Sequence, residues 1–200
     1  MAVIGLSKPY YGIYSAIGNA VSYADGASMG KATEANIEIN TTEDNNLYAD
    51  NAIAETDRSF AGGTLALSTD DLSQEVTKVI LGLTENTITG IEGVTDTSVK
   101  ELVYDDTQTT PYLGVGFIIK KKVGGAYKWR AVVLCKVMFS VPADAATTQG
   151  ESIEWQVPDL SATIMRDDSA TRMWKREATF TTEAQAEAYI KARLNITVAA

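Results

Sequence analysis

The chain has 200 residues, 45% of them hydrophobic, which suffices for one sizeable core, and nothing in the composition marks a second domain. Its formal net charge of -9 argues against a surface that grips nucleic acid by neutralising phosphates. With no histidine and a single cysteine, Cys135, the chain has no Ser-His-Asp or Cys-His nucleophilic centre, no histidine-bearing zinc site and no internal disulfide. No basic segment precedes an apolar run at the start, and no apolar stretch nears the roughly 20 residues of a bilayer span, so the expectation is a soluble, cytoplasmically made protein without a membrane partner.

Residues 1–30 mix Gly, Ser and Tyr, and Tyr10, Tyr11, Ile13 and Tyr14 predict one short strand there. From Lys31 to Thr41 the period is two: Ala35, Ile37 and Ile39 share one face, while Glu34, Asn36, Glu38 and Asn40 share the other. That is a half-buried strand with a polar outer face. Residues 42–60 are too long and too polar to be buried within one subunit, and predict a projecting arm. Leu47 and Tyr48 are its apolar anchors, with Asp50 and Asn51 beside them, and the arm is expected to become ordered only against an adjacent copy. After Gly62-Gly63, residues 64–68 read as a strand. Ser68 or Thr69 is placed to cap an amphipathic helix that begins near Asp70, carries Leu72, Val76, Val79 and Ile80 on one face, and stops at Gly82. Residues 85–111 predict a loop-rich excursion with one or two short strands.

The longest strand-forming run is 112–141, with its turn at Val123-Gly124-Gly125-Ala126. Leu113, Val115, Phe117 and Ile119 on one arm and the odd residues from Tyr127 to Val141 on the other predict a single core face. That alignment needs an odd-numbered loop, with Ile119 near Trp129 and Phe117 near Ala131. Such long arms run past the core or bend between two sheets. Ile153, Trp155 and Val157 predict a further strand ended by Pro158. Leu160 to Met165 and Ala170 to Ala178 predict a second hairpin around Arg166–Ser169. A C-terminal helix capped by Thr181 or Thr182 is expected to turn Ala184, Ala188, Tyr189, Ala192, Ile190 and Leu194 inward, with Glu187 and Lys191 paired on the wet side.

Motifs with chemistry are few. Gly26–Ala32 glances at a phosphate loop but is one residue short between the glycines and has Ala32 where a hydroxyl belongs. Asp44–Asp50 has oxygen donors at alternate places but lacks the glycine and distal glutamate of a calcium loop. Asp70-Asp71, Asp105-Asp106 and Asp167-Asp168 sit where caps and turns want aspartate. Lys120-Lys121-Lys122 is the one basic cluster, read as a solvated hairpin tip or as a partner for an acidic loop of a neighbouring copy. Trp129, Trp155 and Trp174 fall at apolar phase on predicted strands. From these residues no cofactor, metal or catalytic centre is expected.

Taken together, several stretches resemble the major tail proteins of long-tailed, non-contractile bacteriophages. They are Tyr23 to Gly30, the Asn46–Asn51 segment followed by Glu55, Phe60 to Leu67, the helix ending at Gly82, Gly114-Val115-Gly116-Phe117, Val137 to Pro142, Trp155–Pro158, Trp174 and Ala188-Tyr189-Ile190. The resemblance implies a mainly β, sandwich or barrel-like tail-tube fold in one domain, with a flanking amphipathic helix and a short C-terminal helix. It implies a structural, non-enzymatic subunit of the virion, assembled with itself into stacked hexameric rings. Tape measure, tail terminator and baseplate proteins are its other implied partners, and DNA is a transient cargo. In such a tube Glu34, Glu38, Glu55 and Asp57 are expected to face the lumen. The alternative is a soluble β-sandwich module binding carbohydrate or peptide, which needs an exposed aromatic platform or a convergent pocket.

Overall fold

A computed structural model describes residues 2–94, 96, 98–143, 146, 148 and 157–197. In chain order the elements are β1 (Ala2–Ile17), β2 (Ala20–Ser28), β3 (Ala32–Thr41), β4 (Asn45–Ala49), β5 (Ala52–Asp57), β6 (Phe60–Thr69), α1 (Gln74–Leu81), β7 (Thr84–Thr87), β8 (Lys100–Val103), β9 (Leu113–Val123), β10 (Ala126–Phe139), β11 (Asp159–Met165), β12 (Lys175–Phe180) and α2 (Glu183–Arg193). The fold is mainly β, as the alternating patterns predict. One antiparallel sheet runs β2-β1-β9-β10-β11-β6-β3, with β12 also on β10, and β4-β5 and β7-β8 form two separate hairpins. The strand expected over residues 153–157 lies largely outside the described residues.

β10 is the strand that the rest is hung on. Its first half, Trp129 to Leu134, pairs with β12, and its second half, Lys136 to Phe139, pairs with β11. Between the halves a bulge interrupts its register with β9, Leu134 facing Val115 and Val137 facing Leu113. An extra residue inverts the alternation. Val132 and Leu134 before it, and Val137 and Phe139 after it, therefore all enter the same core as Val115 and Phe117. Ala131 and Val133 face the other way, under α2. The continuous odd-numbered file expected along this strand is thus broken by the bulge.

The hairpin register is also corrected. Val123 pairs with Ala126 across a two-residue turn in which Gly124 (φ 56°) and Gly125 (φ 84°) are both left-handed. Such a primed turn matches the twist of the flanking strands better than a three-residue loop does. Phe117 consequently faces Val132, and Ala131 faces Ile118. Phe117 and Ala131 lie on opposite faces of a sheet that is buried on both sides.

Three other expectations change. The N-terminal region holds two long strands in place of one short one, because β1 pairs with β9 along most of its 16 residues and with β2 over Tyr10 to Ile17. A slip between Ser7 and Tyr10, with Lys8 at φ 55°, breaks the period that would have revealed it. The segments 160–165 and 175–180 do not form a hairpin, since each pairs with β10 in succession. Trp174 precedes β12, and its ring stacks on Phe60 at 4.6 Å.

The larger core lies inside the curled sheet and includes Leu65, Leu67, Leu113, Phe117 and Leu160, with Ile80 of α1. α1 starts later than expected. Ser68 and Thr69 finish β6, and Ser73 is the cap, its side chain accepting from the Val76 amide. Asp70 accepts instead from the amides of Lys31 and Asp71. The stop is as expected: Gly82 adopts φ 69°, and an added Cβ would meet the Thr109 carbonyl at 2.2 Å.

α2 covers the opposite face, capped by Thr182 through the Gln185 amide. It buries Ala186, Ile190 and Leu194, whereas Ala184, Ala188 and Ala192 are exposed, so its stripe is rotated from the expected one. The floor beneath it sets that choice. At Gly114 a Cβ would come within 2.5 Å of the Tyr23 ring and 2.7 Å of Leu194, and at Gly116 within 2.6 Å of Ile190. Large side chains of the helix seat directly on backbone.

Candidate assembly surfaces

β3 closes one end of the sheet's strand order, paired only to β6. Ala35 and Ile37 pack on the core, and the alternation sends Glu34 and Glu38 to solvent, as the period predicts. Glu55 and Asp57 are placed elsewhere. They lie on β5, in the hairpin that pairs only with itself, so the four acids do not share the surface of one sheet.

Where the sequence predicts an arm that orders only against a neighbour, the β4–β5 hairpin is already formed within one chain by its own backbone hydrogen bonds. Asp50 (φ 50°) and Asn51 (φ 60°) make its turn, a left-handed pair that short polar side chains tolerate. The Thr42 amide donates to the Ser59 carbonyl (2.9 Å), the Ser59 amide donates to Thr42 Oγ1 (3.1 Å), and Arg58 forms an ion pair with Asp44, so the base is zipped. Across the strands Thr56 Oγ1 donates to Asn46 Oδ1 at 2.7 Å. Leu47, Tyr48 and Ile53 are 58%, 65% and 55% exposed. Three large apolar side chains thus stand in water on a segment with five acids and one base between residues 42 and 60.

The β9–β10 tip has the opposite charge. Residues 120–130 carry four lysines and an arginine and no acid. Lys120 Nζ lies 4.6 Å from the Tyr127 ring and 5.7 Å from that of Trp129, and Lys122 is 5.9 Å from Tyr127. Next to it, between β1 and β3, is an apolar notch of about 280 Å³ lined by Val3, Leu6, Ala35 and Ile119, with Glu34 at its rim.

The aspartates of these pairs serve in turns and loop contacts and cap neither helix. Asp105 accepts from the Thr107 amide and hydroxyl, and buried Asp167 accepts from those of Ser169. Asp168 belongs to a clasp that the sequence does not announce. Lys136 Nζ lies 2.7 Å from its carboxylate and within 4.5 Å of the Tyr112 ring and 5.0 Å of Tyr14, whose hydroxyl donates to Asp168 at 2.8 Å. Burial pushes the Tyr14 hydroxyl up to about 12, and the Lys136 hydrogen bond holds Asp168 below its ordinary range. Cys135 is a buried small hydrophobe whose thiol is pushed up by burial. Gly26–Ala32 spans the end of β2, the connection through residues 29–31 and the first residue of β3. Among the described residues no group of three or more His, Cys, Asp or Glu is arranged to hold a metal.

α2 is fastened to β1 through Glu187, which the helical pattern assigned to water. Its carboxylate takes Lys191 at 2.6 Å, Lys8, and the Tyr10 hydroxyl at 2.8 Å. Lys191 first, then Lys8, lowers Glu187 to about 2 from an ordinary 4.5. The stabilisation is complete above the unfolded value and is lost as pH falls through the folded one. We therefore expect wild-type stability to decline between about pH 5 and pH 2, and Glu187→Gln to flatten that decline while costing about 1 kcal/mol at pH 7, a figure discounted for solvent screening. Urea titrations at several pH values check this. Equal slopes for the two proteins would remove Glu187 from the account.

No protein-family model and no curated protein matches the chain.

Proposed function

We propose that the chain is a tail-tube subunit of a long-tailed, non-contractile phage, a structural protein that assembles with copies of itself into rings stacked around a DNA passage. The observation that carries this reading is the β4–β5 hairpin. It is ordered by its own turn and zipped base, stands clear of the main sheet, and holds Leu47, Tyr48 and Ile53 in water. Exposing three such side chains on one short hairpin is unfavourable for an isolated subunit, and burying them against a neighbour recovers about 1.5–3 kcal/mol for each aliphatic one. The mainly β architecture and the resemblance of residues 46–51, 60–67 and 114–117 support the same assignment. In this reading Glu34 and Glu38 on the outer face of β3 line the bore. Tape measure, terminator and baseplate proteins are its further partners, and the virion tail is its final place after assembly in the host.

Two measurements test it. Negative-stain microscopy of concentrated protein is expected to show rings or tubes, and a dispersed monomer at every concentration and salt would overturn the reading. Hydrogen exchange is expected to show the amides of Leu47 and Tyr48 at least tenfold more protected in the assembled state than in the monomer, the ratio given by about 1.4 kcal/mol of added local stability. Equal protection in both states would remove the hairpin from the interface.

The ligand-binding alternative has one observation in its favour, a groove of about 260 Å³ beside α2 lined by Tyr23, Val133, Arg176, Arg193 and Asn195. Its aromatic member is committed elsewhere, since the Tyr23 hydroxyl donates to the Cys135 carbonyl at 2.8 Å. It offers no open aromatic platform for a sugar.

A further inference from the structure

The chain gathers an acidic and a basic device at one end of its strands, on separate parts of the sheet, in a way that the lumen does not require. The registers fix where the two charged devices stand. Thr41 pairs with Phe60, Gly63 with Ile164, and Met165 with Lys136, so the base of the β4–β5 hairpin is level with the middle of β10. From Lys136 toward Ala126, β10 runs in the same sense as β3 does toward Thr41. The acidic hairpin and the basic β9–β10 tip therefore project from the same end of the strands.

We propose that the β4–β5 hairpin of one copy docks against the β9–β10 tip and the adjoining notch of a second copy, related by rotation side by side and not end to end. The proposal rests on the self-association in the tail-tube reading and names its mating surfaces. Complementarity is twofold. The hairpin carries Glu43, Asp50, Glu55 and Asp57 around exposed Leu47, Tyr48 and Ile53. The acceptor carries Lys120, Lys121 and Lys122 beside exposed Val3 and Ile4, since Val3 pairs with Lys121 and Gly5 with Lys120. Leu6, Ala35 and Ile119 form the apolar notch between them. Each surface sets apolar side chains beside charge, acidic on the hairpin apart from Arg58, which is paired with Asp44, and basic at the tip, with Glu34 at the far rim of the notch.

Because both devices sit at the same end, end-to-end stacking in one sense would bring the hairpin to the far end of its neighbour, away from any tip. A lateral neighbour presents its tip at the height of the hairpin. The contact joins two different patches, so it is heterologous, and repeating it about an axis gives either a closed ring or a helix. Chains with net charge -9 repel one another, and this local pairing of opposite signs supplies a contact at which like charge does not oppose approach.

Charge reversal with mixing tests the assignment. One chain carries Lys120→Glu, Lys121→Glu and Lys122→Glu; the other carries Glu43→Lys, Glu55→Lys and Asp57→Lys. Sedimentation velocity is expected to show each variant alone associating at least about 10-fold more weakly than wild type at low salt. An equimolar mixture is expected to recover association, in rings that alternate the two chains. Circular dichroism confirms that each is folded, and neutral Lys→Gln and Glu→Gln versions, which remove charge with little change of shape, should show smaller losses. If reversed chains form rings as readily as wild type, or if mixing restores nothing, the docking is wrong and the tail-tube reading stands on the rings themselves. If wild type self-associates through these surfaces without forming tubes, the docking stands and the tail-tube reading falls. If wild type stays monomeric throughout, both fall.

Discussion

Gly116→Val should loosen α2 from the sheet and lower the melting temperature by about 2–10 °C, the range for about 1–3 kcal/mol of overpacking in a chain of this size. The backbone at Gly116 is extended within β9 and carries no left-handed strain, so the effect comes from space alone. A Cβ there would sit 2.6 Å from Ile190 Cγ2 and 3.4 Å from Leu194 Cδ1. Relief requires either the strand to bend away from β10, to which it is paired at Val133, or the helix to rise. The helix is the weaker party, because it is held by the small cluster of Ile118, Ala131, Val133, Ala186, Ile190 and Leu194 and by the ion pair of Glu187 with Lys8 on β1. Adding Ile190→Ala to Gly116→Val should therefore recover part of the loss, although Ile190→Ala alone removes buried surface and costs about 2–5 kcal/mol. The two effects share one contact and should not add. Thermal unfolding of the four proteins of this cycle checks the argument. Additive losses, or a Gly116→Val protein as stable as wild type, would mean that the helix does not rest on this glycine.

What could be read in the sequence, and what could not, follows from the range of the interactions involved. β3, α1 and its stop at Gly82, the pairing of Glu187 with Lys191 and the cap at Thr182 are local, written in spacing over a few residues, and the structure has them. The bulge in β10 was not visible, because Leu134, Cys135, Lys136 and Val137 look the same whether or not the alternation inverts there. Only the neighbours, β12 before the bulge and β11 after it, determine the change. The same holds for Gly114 and Gly116. Alternation puts them on the face opposite Val115 and Phe117, which reads as an open face until α2 arrives to use it. Only the Tyr10–Tyr14 part of β1 is legible, because two glycines and the left-handed Lys8 hide the period of the whole strand. The arm segment 42–60 was legible by its polarity, but its regular hairpin depends on the Asp50-Asn51 turn, which in sequence is one short polar pair among several.

In the proposed tail tube, reversing Glu34 and Glu38 to lysine should leave subunits folded and tubes assembled yet slow DNA ejection by about an order of magnitude at low salt, with the defect shrinking as salt rises. Both side chains are exposed on β3, and neither touches the core that Ala35 and Ile37 reach from the other face, so a loss of stability beyond about 0.5 kcal/mol is not expected. The kinetic consequence comes from geometry. In the proposed ring each substitution would be repeated around the bore, and a wall that repels phosphate would become a wall that binds it. Screening over about 8 Å at physiological salt confines that attraction to DNA already inside the tube, where it acts on every turn of the passing duplex. Counterion release makes such binding steeply salt-dependent, so the ratio of mutant to wild-type ejection times should fall several-fold between about 50 and 200 mM salt. Glu55→Lys with Asp57→Lys is the informative comparison, because those acids lie on the separate β4–β5 hairpin. If they belong to the contact between subunits, their reversal should weaken assembly and leave the salt dependence of ejection from surviving tubes unchanged. Normal ejection from intact Glu34→Lys, Glu38→Lys tubes at low salt would place the outer face of β3 away from the bore.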